Sequence, residues 1–243
     1  PSMTGWQYNA YTAESNFIAG DPKFLAEGKK VVYYVYKSKV QPTYGQALTD
    51  EDVTFTDIAA AQQYLLSRKV DSYWFVAHVD GTDDFTELTA YISFNVVQNV
   101  TNAWITPPSI TGWVYGAFNA SSVSAGEATF GTENAKYTVS VSESGVAGFI
   151  DLGFEDLTKK LNDLDAGTYR LTVVCADNVE DAALANFNAA TRMLDFVVAQ
   201  AENEWQISPS ITGWTWNDTA HEPVEGVTKY PNGGISGVYY KAD

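Results

Sequence analysis

Apolar and polar residues alternate in short runs along most of the chain, and a period of two predicts β-strands. Such runs fall at residues 73–79 and 89–97, and again at 137–141, 169–174 and 191–198. Residues 31–36 (Val31-Val32-Tyr33-Tyr34-Val35-Tyr36) are apolar throughout, which predicts a strand covered on both faces. Two stretches change the period to that of a helix. Residues 57–67 place Ile58, Ala61 and Leu65 on one stripe, and residues 154–164 do the same with Leu157, Leu161 and Leu164. The expected fold is mainly β: tandem Ig-like β-sandwich modules, each with a short helical insertion whose stripe caps an open end of the sandwich.

A repeat sets the number of modules. Pro1-Ser2-Met3-Thr4-Gly5-Trp6-Gln7-Tyr8 returns as Pro108-Ser109-Ile110-Thr111-Gly112-Trp113-Val114-Tyr115 and again as Pro209-Ser210-Ile211-Thr212-Gly213-Trp214-Thr215-Trp216. The starts lie 107 and 101 residues apart, the size of one autonomous core rather than of a solenoid repeat. A lead-in also repeats, Asn102-Ala103-Trp104-Ile105 against Asn203-Glu204-Trp205-Gln206. These boundaries give a first module over 1–101, a second over 102–202, and the start of a third over 203–243. Each Gly-Trp pair (Gly5-Trp6, Gly112-Trp113, Gly213-Trp214) reads as a structural motif, the glycine allowing tight backbone and the indole filling a core. Trp104 and Trp205 are expected to anchor one module against the next.

These residues carry a resemblance. The P-S-I-T-G-W-x-Y-G segment at 108–116, the A-G-T-Y segment at 166–169 and the T-E-L-T-A strand at 86–90 resemble the Ig-like or fibronectin-like repeats of large surface proteins of Gram-positive gut bacteria. The resemblance implies a β-sandwich fold, export, and an extracellular parent protein that is wall-attached or released. The chain departs from the simpler repeats by carrying helix-containing stretches ahead of the A-G-T-Y strand, which in the first module reads Val70-Asp71-Ser72-Tyr73. Those stretches are the main hint of a binding role.

Charge narrows the partners. A net charge of −16 and a pI near 4.3 repel phosphate backbones and anionic headgroups, so nucleic acid is excluded as a partner. No apolar run of about 18 residues is present, which excludes insertion in a membrane as a helix. Cys175 is the single cysteine and reads as a small buried strand residue.

Candidate chemistry is sparse. His78 and His221 occupy unrelated positions, and neither nucleophile–base pairs nor metal-ligand spacings stand out. The acidic runs Asp80-Gly81-Thr82-Asp83-Asp84 and Thr49-Asp50-Glu51-Asp52 read as turns rather than calcium loops. The chain is therefore expected to be no enzyme, with no cofactor and no metal. Its leading function is recognition of a host or environmental protein or glycan, with an immunoglobulin or a glycoprotein foremost and Tyr64, Trp74, Phe154, Lys159 and Lys160 as candidate contacts. One alternative is a spacer that projects another domain from the cell wall. The other is a carbohydrate-binding module in which Trp74 or Trp216 stacks on sugar.

Overall fold

The computed structural model describes residues 1–23, 25–142, 147–180, 182–213 and 222–230. Residues 2–97 form the first module: strands β1 (Ser2–Met3) and β2 (Trp6–Gln7), a short helix α1 (Ala13–Asn16), β3 (Phe17–Ile18), β4 (Val32–Lys37), β5 (Val53–Phe55), helix α2 (Ile58–Leu65), β6 (Asp71–Val79) and β7 (Leu88–Val97). Five of the strands make one sheet in the order β2-β7-β6-β4-β5, and β1 pairs with β3 in a separate ribbon. The alternating runs at 73–79 and 89–97 form the long antiparallel pair β6–β7, with Tyr73 opposite Phe94 and Val79 opposite Leu88.

The second module repeats the plan. It contains β8 (Trp104–Thr106), β9 (Ser109–Ile110), β10 (Trp113–Val114), β11 (Val123–Ser124), β12 (Glu127–Ala128), β13 (Lys136–Val141), β14 (Ala147–Leu152), α3 (Phe154–Leu161), β15 (Gly167–Cys175) and β16 (Ala190–Ala199). Its sheet runs β10-β16-β15-β13-β14, and the ribbons are β9–β11 and β8–β12. In both sheets the Gly-Trp strand joins the last strand in parallel, Trp6 opposite Val96 and Trp113 opposite Val198, while all other neighbours are antiparallel. The fold class is thus mainly β and sandwich-like.

The second layer differs from the expectation. The helices do not cap an open end; they lie on the inner face of the sheet and share that layer with the ribbon. An Ig sandwich closes there with a second sheet. Ala61 and Leu65 of α2 are buried among Tyr33, Val35, Tyr73 and Phe75. Leu157 and Leu161 of α3 are buried among Tyr137, Val139, Leu171 and Val173. The stripes read from sequence are therefore part of the core, and the helices belong to the frame of each module. Local chemistry favours them: the Asp57 carboxylate accepts the Ala59 N–H at 3.2 Å at the start of α2. In α3, Glu155 and Asp156 open the helix and Lys159 and Lys160 close it, matching its dipole.

The Gly-Trp motif has a close-packing cause. Trp6 and Trp113 are 6% and 9% exposed and stack on Phe94 and Phe196 of the neighbouring strand. A β-carbon on Gly5 would stand 2.5 Å from the Asn95 carbonyl oxygen, and one on Gly112 would stand 2.3 Å from that of Val197. Only glycine lets the indole strand approach so closely. After β16 the third copy forms β17 (Trp205–Ile207) and β18 (Val227–Thr228), paired antiparallel as β8 and β12 are. A β-carbon on its Gly213 would meet nothing within 4 Å among the described residues, and Trp214 lies outside the described residues, as do Trp216 and His221.

Candidate interaction surfaces

The surface where the modules meet is built by residues the sequence did not flag. Tyr8 follows the Gly-Trp pair, and its ring meets Phe130 edge-on at 5.9 Å and 67° and Phe187 at 6.2 Å; Phe130 and Phe187 stack at 5.3 Å. Two asparagines fix the backbone around this cluster. Asn99 and Asn186 are only 7% and 5% exposed. The Asn99 N–H donates to the Asn186 carbonyl at 2.9 Å, and the Asn188 N–H donates to the Asn99 carbonyl at 3.0 Å. The Asn99 side chain donates to the Tyr8 carbonyl at 3.0 Å, while the Asn186 side-chain oxygen accepts the Val70 N–H at 2.9 Å. Asp177 in turn holds the Asn186 amide at 2.7 Å. The buried amides of Asn99 and Asn186 are thus paired, and an arrangement that parted them would strand buried polar groups.

The next junction repeats the contact. Tyr115 stands where Tyr8 does, its N–H donating to Ala199 as that of Tyr8 donates to Val97, each at 2.8 Å. Its ring meets Tyr230 at 5.7 Å and 64°. Tyr230 matches Phe130 by its bonds: Asn203 exchanges side-chain hydrogen bonds with the Tyr230 backbone as Asn102 does with that of Phe130.

Trp104 is not an anchor between modules. Trp104 packs inside the second module against Ala128, Cys175 and Ala190. Trp205 sits in the third-copy ribbon, 46% exposed. The repeated asparagine of the lead-in, Asn102 and Asn203, is the sequence signal of the junction, since each holds the backbone of the aromatic that the tyrosine meets.

A second surface is the outer face of the first sheet. The fifteen-residue connection 38–52 between β4 and β5 folds back across it as a strap. The Tyr44 ring stacks on the buried His78 imidazole, with centroids 3.5 Å apart and planes at 16°, and meets Tyr34 edge-on at 5.8 Å. The Tyr44 N–H donates to the Tyr91 hydroxyl at 3.0 Å. Burial, and next a hydrogen bond with Tyr34, push the Tyr44 phenol up to about 12. His78 itself is satisfied by Thr89 at 2.8 Å and Asp80 at 3.2 Å. The turn at Thr49 is closed by Asp52, whose carboxylate accepts from the Thr49 N–H and hydroxyl and from the Lys37 N–H.

The five candidate contacts do not converge. Tyr64 is spent within its module, its ring against Phe55 and under the Arg68 guanidinium at 3.4 Å. Trp74 is half-buried on β6, opposite Tyr36 on one side and Ser93 on the other. Phe154 packs on Tyr137 in the second core. Lys159 pairs with Glu155 at 2.8 Å, and the Lys160 ammonium lies 6.0 Å from the Phe149 ring. Among the described residues no group of three or more His, Cys, Asp or Glu side chains is placed to hold a metal ion.

No family model and no curated protein matches the chain. Solved structures do. The fibronectin(III)-like modules of CbhA from Clostridium thermocellum align over 82% of this chain and 90% of theirs, at 11% identity and a TM-score of 0.25. Mouse cadherin-23 EC22-24 aligns over 87% and 67%, at 14% identity and a TM-score of 0.26. Drosophila N-cadherin EC1-4 aligns over 83% and 48%, at 15% and 0.24. These are similarities of fold alone.

Proposed function

We propose that this chain is a non-catalytic stretch of an extracellular tandem-repeat protein, of the kind found on Gram-positive gut bacteria, that acts as a stiff spacer. The observation that carries this reading is the recurring ring contact: Tyr8 meets Phe130 at 5.9 Å and 67° in one place, and the equivalent Tyr115 meets Tyr230 at 5.7 Å and 64° in the next. A joint that repeats its geometry adds modules along one regular path, and at the first junction the buried, paired Asn99 and Asn186 resist bending. The helices, once the main hint of recognition, give no support to it because they fill the cores. Residual dipolar couplings test the spacer. One alignment tensor should fit both sheets, and the Tyr8→Ala/Asn186→Ala double variant should require two. Two independent tensors in the unaltered chain would sink the proposal.

Recognition of a host protein or glycan is the second reading, and the strap favours it because it alters one outer face and not the other. Pull-down from serum or mucus with the chain, and with a form whose residues 39–48 are replaced by a short Gly-Ser turn, tests that reading. A partner retained by the first and lost by the second supports it; no partner for either leaves the spacer alone.

A further inference from the structure

The bases of the two modules differ at one spot. In the second module Trp104 packs against the cluster of Ala128, Cys175 and Ala190, and Ala135 packs against the same cluster. Its buried Nε1 has no hydrogen-bond partner among the described residues, so apolar packing seats the indole. Strand register identifies the corresponding positions in the first module. Tyr33 lies opposite Ala77 as Tyr137 lies opposite Val173, which equates Val31 with Ala135 and Val79 with Cys175. Val79 lies opposite Leu88 as Cys175 lies opposite Ala190. Gly20 backs onto Pro1 as Gly126 backs onto Pro108, each at positive φ, so Pro22 stands where Ala128 does.

All four counterparts, Pro22, Val31, Val79 and Leu88, line a single apolar cleft in the first module, together with Ala77 and Ala90. Leu88 is 54% exposed where Ala190 is 5% exposed, so the position covered in the second module is an open apolar surface in the first.

We propose that this cleft is a receptor slot for an indole side chain carried on an extended segment joined to Pro1. That segment runs beside residues 21–22 as β8 runs beside β12, and it bears its tryptophan four residues ahead of Pro1, the spacing of Trp104 from Pro108 and of Trp205 from Pro209. The slot is continuous with an interface already formed, since Pro1, packed on Gly20, is one of its walls. Proline at position 22 costs the pairing nothing, because the N–H of its counterpart Ala128 is turned to the Thr132 hydroxyl at 2.9 Å and not to β8.

The test adds Asn-Ala-Trp-Ile-Thr-Pro, the sequence of residues 102–107, ahead of Pro1 in the full chain and compares it with the same extension carrying Ala for Trp. Hydrogen exchange at the Val79 and Ala90 amides should slow about tenfold more with the tryptophan, and nuclear Overhauser contacts should place the indole on Val31 and Leu88. An Ala90→Phe substitution fills the slot from inside and should abolish the difference between the two extensions. Val31→Phe serves the same purpose if Ala90→Phe fails to fold. Equal exchange with both extensions, or an indole lodged elsewhere, overturns the proposal.

Discussion

The outer faces of the two sheets rest on strands in the same register yet are finished in different ways. In the first module the strap lays Tyr44 over His78, so the face is roofed by aromatic rings. In the second module the connection from β13 to β14 is five residues long. The face there displays the Arg170–Asp195 pair, bonded at 2.8 and 3.1 Å, beside Met193 at 62% exposure. The inner faces show no such freedom: Tyr33, Val35, Phe75 and Phe94 answer to Tyr137, Val139, Leu171 and Phe196. A buried face must fill a fixed space at crystal-like density, whereas an outer face answers only to solvent. Divergence between the modules is therefore informative on the outside, and likeness is informative within.

The largest effect is expected where the inner layers are alike. Leu65→Ala and Leu157→Ala each remove a fully buried side chain from a helix that serves as the second layer. Each should cost about 3 kcal/mol by the cavity argument, measured as the loss of unfolding free energy in urea. A helix that merely capped an open end would lose under about 1 kcal/mol on the same change, and such a result in either module would break the equivalence of the two frames.

Next comes the Gly-Trp strand. Gly112→Ala drives a methyl group against the Val197 carbonyl, and overpacking of this sort costs about 2 kcal/mol. Gly5→Ala meets the Asn95 carbonyl in the same way. Among the described residues nothing lies within 4 Å of a β-carbon at Gly213, and Gly213→Ala should leave the melting temperature unchanged. The three substitutions together sharpen the comparison, because identical motif letters are predicted to respond according to the backbone that a β-carbon at each glycine would meet.

How much of this was legible beforehand depended on periodicity. The long strands and both helical stripes were visible because each repeats a spacing that burial enforces. The layer the helices occupy was not, since an amphipathic stripe looks the same over a sheet face as over an open end. The junction was missed for a different reason: Asn99 and Asn186 are polar residues outside any periodic run, and their burial follows from partners far apart in sequence. Tyr44 stands alone between Pro42 and Gly45, so nothing in its neighbours announced a stack on His78.

The strap should yield a smaller effect than the core. Tyr44→Ala removes the stacked ring, and aromatic pairs contribute about 1 kcal/mol beyond area. Trypsin should then cleave at Lys39, within the strap, several times faster than in the unaltered chain. Unchanged cleavage would mean that the Asp52 turn, not the ring stack, holds the roof on.

The smallest expected change is a gain. Tyr11 packs on Trp6 at 4.7 Å, and Phe118 packs on Trp113 at 4.9 Å in the corresponding place. The Tyr11 hydroxyl is buried with no hydrogen-bond partner among the described residues, and burial raises its pKa. A buried donor left unmade is a desolvation cost with no return, and the second module avoids it by carrying a ring without the oxygen. Tyr11→Phe should therefore stabilise the chain by about 1 kcal/mol, while Phe118→Tyr should destabilise it by a similar amount. If Tyr11→Phe instead lowers the melting temperature, the hydroxyl has a partner in solution, and the first core is hydrated at a point where the second is dry.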